Sequence, residues 1–319
     1  MISLPLTNAT PIKALAGAAA LIALAACADS EPAATDTPVA APANDAEGAA
    51  AAATPEKTDY TRQLDAALDA QDEGAKARYA ARHPRETLTF LGLEPGMTVV
   101  ETLPGGGWYS KILLSYLGED GTLIGAHYPD SLWPRINPDP EWVAGRVALA
   151  EDWANIAAGW GIPSAGTLKS VKMTEIPSDM DGTADYVLFI RSLHNLTRYE
   201  KDAQYSSDSL AETFRILKPG GQVGVVQHRA PAGNADAWAD GSAGYLKQDS
   251  VIAMFEDAGF VLEASSEINA NPNDVPTEEE FVWRLPPFFF GAAEGSPERE
   301  AFAAIGESDR MTLKFRKPE

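Results

Sequence analysis

Residues 93–117 read LEPGMTVVETLPGGGWYSKILLSYL. Within them Thr98-Val99-Val100-Glu101-Thr102 is a short run rich in β-branched residues, the composition of a buried strand. Pro104-Gly105-Gly106-Gly107 then makes a turn, and Trp108 to Leu117 carries no breaker and reads as a helix. A strand that passes through glycines directly into a helix is the first half of a parallel βαβ unit. The glycines let backbone approach a ligand with no Cβ in the way. Glu101 sets a carboxylate at the end of that strand.

Working outward, the same alternation repeats. Gly121 to Ala126, Lys169 to Ile176, Ala184 to Arg191 and Gln222 to Gln227 read as strands. Asp139 to Gly159, Ser207 to Leu217 and Gln248 to Ala258 read as the helices between and after them, the last stopped by Gly259. Lys218-Pro219-Gly220-Gly221 reads as a helix stop, and Phe260 to Glu267 and Met311 to Arg316 as the closing strands. Upstream, Leu64, Ala67, Leu68, Ala77, Tyr79 and Ala80 recur at helical spacing, with a break expected at Gly74. His83-Pro84 marks a boundary before a short helix from Arg85 to Leu91. Strands alternating with helices predict an α/β domain over residues 58–319, with a mostly parallel sheet covered by helices on both faces. Ligands of such sheets sit at the carboxyl ends of the strands, near the switch in strand order.

The order and spacing of these segments resemble class I S-adenosylmethionine (SAM) methyltransferases over about residues 82–318. Leu93 to Glu101 with the glycine turn resembles their first motif, and Asp185-Tyr186-Val187-Leu188-Phe189 their fourth-strand motif. Arg215-Ile216-Leu217-Lys218-Pro219-Gly220-Gly221 resembles the turn before their fifth strand. Ala258-Gly259-Phe260 and Leu313 to Pro318 resemble the last helix and the final hairpin strand. More narrowly, Pro104 to Tyr109 looks like a bacterial subgroup of exported methyltransferases. The resemblance implies a Rossmann-like fold of seven strands and SAM as cofactor. It implies that Glu101, Gly105, Gly107, His127, Asp185 and Arg191 form or support the cofactor site. It also places His194, in Arg191-Ser192-Leu193-His194-Asn195, in the turn that faces the methyl group, as the catalytic base.

The chain departs from the family pattern at three places. Leu103 stands where the first glycine of the turn falls. The second strand ends in Gly125-Ala126-His127-Tyr128, with no acid for ribose hydroxyls. The acid that follows the third strand would fall at Lys172 or Met173, with Glu175 nearby.

His127, His194 and His228 fall at or just past the ends of the second, fourth and fifth strands, where a histidine can act as base, acid or ligand. No pair of ligands stands at i, i+3 or i, i+4, so no metal site is expected. Phe281 to Phe290 carries five aromatic residues. It reads as a turn packed on the core, a lid, or a membrane-contacting patch.

The N-terminus sets the address. Residues 1–26 have Lys13 and then an apolar stretch from Ala14 to Ala26, too short to span a bilayer comfortably, and read as a signal peptide. Leu24-Ala25-Ala26-Cys27 resembles the lipobox of bacterial lipoproteins, and Cys27 is the only cysteine in the chain. That resemblance implies lipidation at Cys27, with several acyl chains for stable anchoring. Because Ala28 rather than an acid follows the cysteine, it further implies the outer membrane, facing the periplasm. Residues 27–57 are dominated by Ala, Pro, Thr and acids with no aromatic residue, the composition of a disordered linker. Such a tether reaches roughly 30 Å. The net charge of −21 excludes nucleic acid as a partner, whose phosphates need Lys and Arg. It likewise excludes docking on anionic lipid, leaving the lipid anchor as the membrane attachment.

Two functions follow. One is a SAM-dependent methyltransferase acting on a small molecule or an envelope component. The other is an envelope protein that keeps the fold and binds another ligand without catalysis, since a fold alone does not fix function.

Overall fold

The computed structural model describes residues 59–163 and 165–319; the expected signal segment, Cys27 and the linker lie outside them. Seven strands form where the apolar runs predict them: β1 (Thr98–Thr102), β2 (Thr122–His127), β3 (Thr167–Lys172) and β4 (Ala184–Ile190). They are followed by β5 (Leu217–His228), β6 (Val261–Ser266) and β7 (Arg310–Arg316). They make one sheet in the order β3-β2-β1-β4-β5-β7-β6. Strands β1 to β5 pair in parallel, whereas β7 is antiparallel to both β5 and β6. The sheet is thus mixed: mostly parallel, as expected, with one antiparallel hairpin at this edge. The reason is where the chain re-enters: Arg310 pairs with His228, so β7 begins beside the carboxyl end of β5 and must run back.

Side-chain alternation along the strands loads both faces. Val99, Leu123, Tyr186 and Leu188 pack on one side with Leu64, Leu88, Ile112 and Trp153. Val100, Ile124, Val187 and Phe189 pack on the other with Leu193, Leu210 and Phe255. The Rossmann-like architecture of seven strands expected from the sequence is therefore present, with the helices 59–69, 84–91, 108–117 and 140–158 on the first face. Helices 205–216 and 248–257 cover the second.

Two local expectations are corrected. Lys218 to Gly221 does not separate helix from strand; β5 starts at Leu217, opposite Ala184, and absorbs these residues as an irregularity before Gln222 pairs with Tyr186. Gly74 is not the break in the N-terminal helices. The chain breaks at residues 70–72, and Asp72 caps the next short helix through Ala75 N at 2.8 Å.

Gly125 shows how tightly the first face is packed. A Cβ there would lie 2.6 Å from the Trp153 ring. Gly125→Ala is expected to overpack this contact and cost about 1–3 kcal/mol, read as a lower urea midpoint for the full chain. An unchanged midpoint would mean that Trp153 is not seated on β2.

Candidate functional site

The neighbouring strands β1 and β4 each leave the sheet through a non-glycine residue in the left-handed region, Leu103 (φ 50°) and Arg191 (φ 56°). Each hooks its N–H onto the next strand, Leu103 to Ala126 O and Arg191 to Val226 O, both at 2.7 Å. Such conformations cost on the order of 1–3 kcal/mol each and persist where the surroundings enforce them. Leu103 thus takes a conformation that glycine adopts without strain.

Between the two exits opens a cavity of about 390 Å³. Gly105 and Gly106 line it and leave it open: a Cβ at Gly106 would meet nothing within 4 Å, and at Gly105 only Leu103 O at 3.8 Å. Glu101 also lines it, 4% exposed, accepting a hydrogen bond from Ser110 Oγ at 2.5 Å. Burial pushes its carboxyl up to about 8, against the opposing pull of Ser110 and Arg191. Glu101 is therefore a neutral acid at pH 7 until a cation joins it.

His194 and His228 line the same cavity, their rings 5.6 Å apart. Burial pushes His194 down to about 4, so it is a neutral imidazole. Gln227 sets its tautomer. The Gln227 amide donates to Gly244 O at 3.0 Å, which turns Oε1 toward His194 Nδ1 at 3.4 Å. Nδ1 then carries the proton and Nε2 the lone pair. His228 Nδ1 pairs with Ser308 Oγ at 2.6 Å, and burial holds this ring well below the usual histidine range.

Arginines form the remaining wall. Arg78, Arg82 and Arg310 converge on one carboxylate, Glu307, at 2.6, 3.1 and 3.1 Å. Arg82 also lies over the Trp108 ring, 4.6 Å from its centroid. Arg78, Arg82 and Arg191 line the cavity. The sequence reading missed this cluster, because its members are brought together across 229 positions of chain. The only local hint is the i, i+4 spacing of Arg78 and Arg82.

The expected site residues are therefore divided. Glu101, Gly105, Arg191 and His194 share the cavity. His127 does not line it: it is 2% exposed, its Nε2 has no partner, and its ring meets Trp153 edge-on at 6.0 Å. Gly107 faces Trp160, whose ring lies 2.4 Å from a Cβ placed there. Asp185 stands at the amino end of β4, away from the cavity, accepting Thr98 N at 2.8 Å and pairing with Lys218 at 2.5 Å. Its position corrects the expected cofactor contact to a tie between β1 and β4. Among the described residues no group of three or more His, Cys, Asp or Glu is placed to hold a metal ion.

The aromatic segment 281–290 divides as well. Val282 and Leu285 are buried, whereas Trp283, Pro287 and Phe288 line the cavity, Phe288 being 66% exposed. No helix among the described residues is long and apolar enough to cross a membrane.

No family model and no curated protein matches the sequence. Solved structures are similar to it at low identity. A SAM-dependent methyltransferase from Aquifex aeolicus matches at 19% identity with a TM-score of 0.43, over 65% of this chain and 93% of its own. A 4+2 cyclase matches at 17% identity with a TM-score of 0.46, over 75% and 82%. Geranyl diphosphate C-methyltransferase from Streptomyces coelicolor, solved with S-adenosyl-L-homocysteine, matches at 13% identity with a TM-score of 0.47, over 83% and 86%.

The Glu101 proton has a consequence for stability. The folded carboxyl holds it up to about pH 8, while the ordinary carboxyl loses it near 4.5. The folded state thus binds the extra proton, and this group makes stability fall as pH rises through that window. Glu101→Gln keeps an acceptor for Ser110 and removes the titration. Its melting temperature should match wild type near pH 4.5 and exceed it increasingly toward pH 8. A difference that does not change with pH would show that Glu101 is ionised in the empty cavity.

Proposed function

We propose that this chain is a SAM-dependent methyltransferase, exported and anchored through Cys27, acting on a small molecule or envelope component in the periplasm. The observation that carries the reading is the buried Glu101 carboxyl beside the open Gly105-Gly106 backbone, at the switch point between β1 and β4. These residues fit the amino-acid end of SAM. Glu101 would ionise against its ammonium, and the glycine backbone gives close approach. When bound, SAM supplies an electrophilic methyl group, and methyl transfer is an in-line displacement in which the protein's main contribution is positioning. His194, neutral and with a lone pair assigned to Nε2, would orient an acceptor group or take its proton.

The nucleoside end fits less well, and this favours the second reading. The corner at the end of β2 holds buried His127 and Trp153 where a ribose-binding acid would stand. A protein that keeps the fold and binds another ligand would look the same there.

Titration calorimetry of SAM and of S-adenosylhomocysteine into the full chain in detergent separates the two. The methyltransferase reading expects micromolar binding, weakened about 30-fold or more by Glu101→Ala through loss of a charge-assisted pair. His127→Leu should leave it unchanged. A folded chain that binds neither compound at millimolar concentration would leave only the ligand-binding reading. The anchor is tested separately: Cys27→Ala should move the protein from the membrane fraction to the soluble periplasm, and an unmoved variant would end the lipoprotein assignment.

A further inference from the structure

The cavity wall is electropositive in a chain whose net charge is −21. Arg78, Arg82 and Arg191 line the cavity, and among the described residues Glu307 is the carboxylate that Arg78, Arg82 and the neighbouring Arg310 share. Glu101 adds no negative charge while it keeps its proton. Among the described residues the half-buried Arg191 side chain has neither an ion pair nor a hydrogen bond, and Arg82 Nη1 and Arg310 Nε are buried without partners. The charges also feel one another. Burial pushes Arg191 down to about 9, with Arg82 and Arg310 adding to the effect, and burial pushes Arg82 down to about 10.

Buried charges are ordinarily paired, so an excess of guanidinium around a cavity marks where a ligand must bring the opposite sign. The cofactor does not bring enough of it. SAM carries an ammonium, a sulfonium and one carboxylate, a net cation. Even if that carboxylate took one arginine, the surplus around Glu307 would remain.

We propose that the acceptor is an anion, whose carboxylate or phosphate group pairs with Arg191 at the wall that Arg78 and Arg82 also line. This rests on the methyltransferase reading for the word acceptor, but the oxyanion subsite can be measured without it. His194 and His228 lie on the same wall. The oxyanion would hold the acceptor's nucleophilic atom near His194, in the cavity that Glu101 and the glycine turn also line. Arg191 takes a left-handed backbone conformation, held by its N–H bond to Val226 O, and its side chain lines this cavity.

The test is calorimetric titration of inorganic phosphate, and separately of citrate, into the full chain in detergent. Each is run at constant ionic strength, with and without saturating S-adenosylhomocysteine. Saturable phosphate or citrate binding that persists beside S-adenosylhomocysteine is expected. It should weaken about 30-fold or more in Arg191→Gln, the loss typical of a severed charge-assisted pair. Because Arg191 holds no partner within the fold, the ligand-free variant should melt no lower than wild type, a result that a structural arginine would not give. Competition between phosphate and S-adenosylhomocysteine would overturn the acceptor assignment and leave the arginines to the cofactor's own carboxylate. Anion binding that Arg191→Gln does not weaken, or no binding at all, would overturn the subsite itself. Anion binding lost in Arg191→Gln, in a chain that ignores S-adenosylhomocysteine, would sink the methyltransferase reading and keep the oxyanion site.

Discussion

Adjacent parallel strands β1 and β4 send their chain to opposite faces of the sheet. The helix after β1 buries Ile112 and Leu113 on one side, and the turn after β4 buries Leu193 and Leu196 on the other. Connections that diverge this way cannot fill the space between them, so a crevice at the strand ends is a consequence of strand order. Both exits are forced through left-handed residues, Leu103 and Arg191, pinned by hydrogen bonds to the strands beyond them. Glu101, Gly105, Arg191 and His194 are arranged around that crevice.

The crevice is closed on its third side by an ion cluster rather than by apolar packing. Glu307, just before β7, receives Arg78 and Arg82 from the N-terminal helices and Arg310 from β7 itself. These contacts bind the start of the domain to its end. They also mean that removing Glu307 would leave three guanidinium groups without their carboxylate, a far larger perturbation than loss of an exposed pair.

Much of this was legible in the sequence, and the boundary has physical causes. The strand, glycine turn and helix of residues 98–117 announced themselves through local composition, because each uses residues that few other conformations favour. Glu101, Gly105, Arg191 and His194 followed from their places at strand ends. Spacing gave no sign that Leu103 would take a glycine's conformation, since the strain is imposed by Ala126 O and by packing rather than by the residue itself. Nor could it separate His127 from the site: strand ends fix which edge of the sheet a residue occupies, but Trp153 from the helix 140–158 decided that the ring is buried. The arginine cluster was invisible for the opposite reason. Its members are ordinary surface residues by composition, and only the return of the chain at β7 brings Arg310 and Glu307 beside Arg82.

Two groups that line the cavity ask for opposite things. Glu101 holds a proton because no cation is near enough to favour its charge over its burial, so a ligand ammonium there would gain an ion pair that the empty protein lacks. Arg191 cannot relieve its burial by the same route at neutral pH, since even pushed down to about 9 it remains charged. Glu101 is therefore a switchable acid and Arg191 a fixed cation. A ligand, or a pair of ligands, that is cationic toward Glu101 and anionic toward Arg191 satisfies both, and neutral molecules satisfy neither. The overall charge of −21 sets the protein's solubility and long-range repulsion. Selectivity belongs to the few buried charges, whose local balance is the reverse of the chain's.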